Sequence, residues 1–158
     1  MYKRVLVPLD GSDVAAGILP FLTDIAGPLD MTIVLLRVVE PIPPVTADAV
    51  GAVIVDDVAS RRRDAEEYLA PIVIELRARG IEATSAVRVG RAEDEILAAA
   101  RGADADLIAM STHGRSGLGR LLFGSVAEQV LRHSDVPIFM MRHTQRRSAK
   151  PPMTAAAR

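Results

Sequence analysis

Thr32-Ile33-Val34-Leu35-Leu36-Arg37-Val38-Val39 is apolar almost throughout. A strand with one face in solvent turns polar at every second position. One that stays apolar is buried on both faces, as in a parallel sheet covered by helices above and below. The run therefore predicts a central strand of a parallel sheet. Towards the N-terminus, Val5-Leu6-Val7-Pro8-Leu9 is a second, shorter β-branched run that stops at Asp10-Gly11-Ser12-Asp13, which reads as a turn and the N-cap of a helix. Residues 14 to 26 continue that helix.

Towards the C-terminus, Pro41-Ile42-Pro43-Pro44 opens a long connection to about Asp57. Apolar residues then recur at helical spacing from Ser60 to Arg79, with Tyr68, Leu69, Ile72, Val73 and Leu76 on one face and Gly80 placed to end the helix. The Arg61-Arg62-Arg63 run, followed by Asp64, Glu66 and Glu67, reads as an exposed face laced with ion pairs. Ala83 to Val89 is a weaker strand, Ala92 to Arg101 a helix closed by Gly102, and Leu107 to Met110 a fourth strand. Ser125 to Arg132 is a helix, and Val136-Pro137-Ile138-Phe139-Met140-Met141 is the last strand. This alternation predicts an α/β fold: an open five-stranded parallel sheet with helices on both faces, Rossmann-like. Pro137 donates no ladder hydrogen bond, which puts the last strand at an edge. An apolar edge invites pairing with a second copy, so a homodimer through residues 136–142 is expected, the alternative being cover by the chain's own helices.

With 158 residues, 49% hydrophobic and 25% charged, the chain has the size and balance of one globular unit. Two tyrosines and three phenylalanines leave the core to Val, Ile, Leu and Ala. Residues 1–143 are expected to form one domain and 144–158 a flexible basic tail. A net charge of -1 provides no field for nucleic acid or an anionic membrane, so neither is an expected partner. No apolar stretch approaches a membrane span of about 20 residues, and Met1-Tyr2-Lys3-Arg4 runs straight into a strand without a secretory h-region. A cytoplasmic location is expected. The chain has no cysteine, which excludes disulfides and thiolate metal sites, and His113, His133 and His143 lack ligand spacing.

The chemistry concentrates in Ser111-Thr112-His113-Gly114-Arg115-Ser116-Gly117-Leu118-Gly119-Arg120-Leu121-Leu122-Phe123-Gly124-Ser125, which leaves a buried strand and enters a helix. Ligands of open α/β sheets bind at such carboxyl ends. Glycines let main-chain N–H groups approach an anion, and a helix starting near Gly124-Ser125 adds partial positive charge. The segment thus reads as a phosphate site, or alternatively as a tight surface loop. Gly119 to Gly124 has P-loop spacing, but Ser125 stands where that motif needs lysine. Gly117 and Gly119 begin a dinucleotide fingerprint, but Leu122 takes its third glycine position. Leu118 breaks a nucleophile elbow around Ser116.

The segment resembles the ATP-binding loop of universal stress proteins, G-x-x-G, nine residues, then G-[S/T]. Gly114 matches the second glycine, residues 115 to 123 the nine, and Gly124-Ser125 the end. Val5 to Ser12 is similar to the family's opening strand and acidic turn, and Ser134-Asp135-Val136-Pro137-Ile138 to its closing strand, so the likeness spans residues 3 to 142. Ser111 departs from the pattern by standing at the first glycine, where a hydroxyl intrudes close to the nucleotide. The resemblance implies an adenine nucleotide alpha hydrolase-like fold and a site for ATP, with Mg2+ carried by the phosphates. It places Pro8, Leu9 and Asp10 by the base or ribose and the backbone of Val38 or Val39 against the adenine. Ser111, His113, Gly114, Arg115, Gly117, Gly124, Ser125 and Val126 then surround the phosphates. Asp10 has a second reading as a helix cap, and Arg115 and Arg120 as solvated loop charges.

The implied function is a nucleotide-responsive regulatory homodimer of the stress response, its protein clients unknown. No general base, nucleophile or arginine finger stands out, so no catalytic residue is assigned. Two alternatives stay open: a slow ATP hydrolase or phosphotransferase using Asp10 or His113, and a nucleotide-free dimer with a chaperone-like or scaffold role.

Overall fold

The computed structural model describes residues 2–42, 57–113 and 124–143. In chain order the elements are β1 (Arg4–Pro8), α1 (Asp13–Ala16), α2 (Leu19–Ala26), β2 (Thr32–Val39), α3 (Val58–Ala78), β3 (Ala83–Val89), α4 (Ala92–Gly102), β4 (Leu107–His113), α5 (Ser125–His133) and β5 (Ile138–His143). The five strands form one parallel sheet in the order β3-β2-β1-β4-β5. This is the α/β fold read from the sequence.

Successive strand side chains point to opposite faces. Val5, Val7, Ile33 and Leu35 therefore pack with Leu22 of α2 and with Leu69, Val73 and Leu76 of α3. Leu6, Leu36 and Ile108 pack on the other face with Ile96, Ala99 and Ala100 of α4 and with Ala127 and Val130 of α5. Burying each of the larger side chains contributes ~1.5–3 kcal/mol, so the two layers hold the sheet from both sides.

Four details correct the sequence reading. The helix expected over 14 to 26 is two helices, because Pro20 lacks the N–H that would reach the Ala16 carbonyl and its ring would crowd that carbonyl. Gly17 closes α1 by donating to Asp13 O at 2.9 Å, and α2 restarts with proline in its first turn, where no donor is needed. The middle strand is β1, with β2 interior beside it. The fourth strand runs three residues beyond Met110, because Ser111, Thr112 and His113 pair with Met141, Arg142 and His143 of β5. Pro137 precedes the last strand, its carbonyl accepting from Ile108 N–H at 3.0 Å. As expected, β5 lies at an edge.

Asp57 caps α3 by accepting from Ser60 N–H at 2.9 Å, and Gly80, with φ at +78°, turns the chain out of that helix. At the amino end of the sheet β1 and β4 are tied by Asp106, whose carboxylate accepts from Lys3 N–H at 2.7 Å and Arg4 N–H at 3.0 Å. At the carboxyl end they part. Their register covers only Val5↔Leu107 and Leu6↔Ile108, whereas β1 pairs with β2 as far as Pro8↔Leu36.

Candidate functional site

In the order 3-2-1-4-5 the crossovers leave β1 in opposite directions, so the topological switch point is the gap between the carboxyl ends of β1 and β4. Pro8, at the end of β1, has no N–H with which to close that gap. The hydroxyl of Ser111 on β4 is buried and has no hydrogen-bond partner among the described residues. A buried, unpaired hydroxyl costs about 1–3 kcal/mol.

Beyond Pro8 the chain turns through Asp10, Gly11 and Ser12. Asp10 does not cap a helix itself. Its Oδ1 accepts from the Ser12 hydroxyl at 2.5 Å and from Ser12 N–H at 2.9 Å, and the Ser12 oxygen caps α1 by accepting from Ala15 N–H at 3.1 Å. Asp10 Oδ2 accepts no hydrogen bond from the described residues. Partial burial works against ionisation of Asp10, but the Ser12 hydroxyl, the Ser12 N–H and the nearby Arg37 outweigh it and hold the carboxyl below the usual aspartate range. Gly11 adopts φ of +84°, which only glycine takes without strain, and a side chain there would point at the Arg37 guanidinium.

Next to Gly11 a cavity of about 260 Å³ opens between the carboxyl end of β2 and α3, lined by Gly11, Arg37, Val38, Val39, Arg61, Asp64, Ala65 and Tyr68. Arg37 donates to Leu9 O at 3.3 Å. Burial pushes the Tyr68 hydroxyl above its ordinary pKa, with Arg37 opposing and Asp10 and Asp13 reinforcing, so these groups share one electrostatic neighbourhood.

The expected ligand residues are distributed along this rim. Pro8 ends β1 and Asp10 follows it, while Leu9 is buried, with its N–H on Leu36 O at 2.8 Å and its carbonyl on Arg37. Val38 and Val39 line the cavity, and the Val39 carbonyl accepts from Gly90 N–H at 3.1 Å. Ser111 and His113 end β4. Gly124 is the N-cap of α5 and Ser125 and Val126 begin it, with no side chain capping the first N–H groups. Gly114, Arg115, Gly117 and Arg120 lie outside the described residues, as does most of the 41 to 59 connection.

The sequence reading missed Arg37, Tyr68, Arg61 and Asp64. Arg37 was visible as the single charge inside an apolar strand, which is the kind of residue that serves a site. Tyr68 reads as part of the apolar face of its helix, and Arg61 and Asp64 as part of a solvated face on which Arg62 does pair with Glu66 at 3.1 Å, but all three line the cavity.

The model of the universal stress protein family matches residues 1–142. A universal stress protein of Methanocaldococcus jannaschii is 29% identical over 143 residues, covering 90% of this chain and 83% of that one. The crystal structure of a universal stress family protein from Burkholderia pseudomallei is 25% identical, with a TM-score of 0.67 over 89% of this chain and 96% of that one. A universal stress protein from Archaeoglobus fulgidus solved in complex with dAMP superposes with a TM-score of 0.62 at 22% identity, over 88% of this chain and 97% of that one. A family match across nearly the whole described fold, joined to the parted β1 and β4 ends, leads to one conclusion: the chain belongs to the universal stress protein family.

Proposed function

We propose that the protein is a cytoplasmic, ATP-binding regulator that works as a homodimer and answers to nucleotide occupancy. The observation that carries this reading is the buried Ser111 hydroxyl, unpartnered among the described residues, on β4 beyond the point where its pairing with β1 ends. The Archaeoglobus relative solved with dAMP supports an adenine nucleotide.

The residues divide the work. Main-chain N–H groups of Ser125 and Val126, at the uncapped start of α5, face anionic phosphate oxygens with the helix dipole behind them. Ser111 supplies a hydroxyl donor, and Gly114, Arg115 and Gly117 complete the phosphate loop. Asp10, ionised through Ser12, uses its spare oxygen to accept from ribose hydroxyls. The apolar floor of the 260 Å³ cavity, Val38 with Val39, takes the base. When bound, ATP brings Mg2+ on its phosphates. The half-buried side chains of Ile138, Phe139, Met140 and Met141 on edge strand β5 support pairing with a second copy.

Mass spectrometry of nucleotide extracted from protein purified without added ATP tests the reading. ATP at a substantial fraction of one per chain is expected, and protein free of nucleotide that also fails to take up added ATP would overturn it.

The depressed pKa of Asp10, whose Oδ2 accepts no hydrogen bond from the described residues, also favours a second reading, slow hydrolysis with Asp10 orienting water. Single-turnover assays on wild type and Asp10→Asn separate the two, because only hydrolysis predicts a product-forming step that the variant loses while ATP stays bound.

A further inference from the structure

Arg37 is the one charged side chain in the run from Thr32 to Val39, and it follows Leu35 and Leu36, both fully buried. It is itself half-buried. A guanidinium has five N–H donors and no acceptor. Among the described residues Arg37 meets one hydrogen-bond partner, Leu9 O at 3.3 Å, and no carboxylate stands within ion-pair distance. Asp10 is near enough to feel its charge, but Asp10 Oδ1 is taken by Ser12 and Asp10 is not among the residues lining the cavity. A charge drawn out of water calls for a counter-charge, and the described fold supplies none at contact range.

Arg37 shares the wall of the 260 Å³ cavity with Arg61 and Tyr68. The Tyr68 hydroxyl makes no hydrogen bond with the described residues, and burial keeps it protonated, hence a donor. Asp64 is the one carboxylate on the lining, and it is exposed, where solvent screens it. Two guanidinium groups and a phenol therefore face the cavity against one solvated carboxylate. A neutral base answers none of that charge. A phosphate group does, with three acceptor oxygens for a fork and a phenol to share.

The place of this wall separates it from the start of α5. Side chains alternate along a strand, so Arg37 lies on the same face of β2 as Leu35, which packs with α3, whereas α5 packs on the opposite face. With the base on Val38 and Val39 and its 5′-phosphates at α5, Asp10 accepts from one ribose hydroxyl. The other ribose oxygen is then the part of the nucleotide nearest Arg37, whose own bond is to the residue before Asp10.

We propose that Arg37, with Tyr68 and Arg61, forms a second phosphate subsite on the α3 face of the sheet, distinct from the start of α5. The phosphate is carried on the 2′ or 3′ oxygen of the bound nucleotide or arrives as a free ion beside it. This rests on the nucleotide-binding reading above and adds a class of ligand to it.

The test is calorimetric titration of the full chain, as wild type, Arg37→Met and Arg37→Lys, with ATP, AMP, adenosine 3′,5′-bisphosphate and adenosine 2′,5′-bisphosphate, and with inorganic phosphate in the presence of saturating AMP. One of the two bisphosphates is expected to bind wild type about tenfold more tightly than AMP. In Arg37→Met the ratio is expected to fall to about one, and Arg37→Lys, which keeps the charge but not the fork, to lie between. Inorganic phosphate that binds the wild-type AMP complex, and not that of Arg37→Met, would assign the subsite to the free ion instead. Bisphosphates no tighter than AMP together with no uptake of inorganic phosphate would overturn the proposal and leave nucleotide binding standing, as would a gain unmoved by Arg37→Met. Wild type that binds none of the nucleotides, ATP included, would overturn the nucleotide reading and this proposal together. Circular dichroism of each variant establishes that the fold is intact.

Discussion

Arg4 and Asp106 exchange hydrogen bonds across the amino end of β1 and β4: Arg4 N–H donates to Asp106 Oδ1 at 3.0 Å, and Asp106 N–H donates to Arg4 O at 3.0 Å. The two central strands are therefore pinned where they start and free to diverge where they finish. The same carboxylate, with Lys3 N–H also bound at 2.7 Å, holds closed the end of the sheet opposite the crevice.

Asp106→Ala is expected to lower stability by about 1 kcal/mol at pH 7, a figure kept small because the site is solvent-accessible. Burial works to raise the Asp106 pKa, but the Arg4 and Lys3 N–H groups outweigh it and hold the carboxyl below its ordinary 3.8. A depressed folded pKa gives stability that is complete above the unfolded value and is lost as pH falls through the folded one. Urea melts of wild type and variant should thus differ at pH 7 and converge once pH falls below the depressed pKa of the folded carboxyl, whereas a constant gap at every pH would assign the effect to packing.

Ser111→Ala removes the orphaned hydroxyl. Without ligand the variant is expected to be as stable as wild type or more so by about 1 kcal/mol, because no bond is lost and a desolvated polar group disappears. Its ATP affinity is expected to fall several-fold. Thermal melts with and without ATP read both effects, and a variant that is less stable and binds ATP unchanged would place the hydroxyl in the fold's own hydrogen bonding.

Gly11→Ala meets no hard obstacle, since a methyl group there would lie 3.6 Å from Arg37 Nη2, an ordinary contact. The cost comes from φ at +84°, which an L side chain occupies at about 1–2 kcal/mol. Chemical denaturation should show that loss, together with weaker nucleotide binding as the turn carrying Asp10 shifts.

Sedimentation velocity is expected to give a dimer. Leu131, 48% exposed on the helix that covers Ile138 and Met140, is a position where Leu131→Glu costs the single chain little. That variant should weaken association while the circular dichroism spectrum stays unchanged, and a wild-type monomer at high concentration would remove the edge-pairing reading.

Much of the fold was legible because burial on two faces leaves an unambiguous trace. The run from Thr32 to Val39 is an interior strand with those same bounds, and the Tyr68 to Leu76 stripe lies on the buried side of α3. The misplacements have separate causes. Pro20 divides a helix whose apolar spacing continues across the break, so periodicity alone runs through it. Ser111-Thr112-His113 looks like loop because its side chains are polar, but strand extent there is decided by main-chain pairing with β5, a long-range contact that composition does not record. At the rim, sequence pattern located the carboxyl ends of β1 and β2 and the start of α5, but ended β4 three residues early. It did not find the wall made by Arg37, Arg61, Asp64 and Tyr68, because that wall exists only once α3 is laid against β2.

The central claim, that the gap between the carboxyl ends of β1 and β4 grips an adenine nucleotide, is tested most directly by calorimetric titration of ATP with magnesium into wild type and Asp10→Asn. Saturable binding at one nucleotide per chain in wild type, weakened about tenfold in the variant, is the predicted result. Binding of equal strength in both proteins, or no binding in wild type, would contradict it.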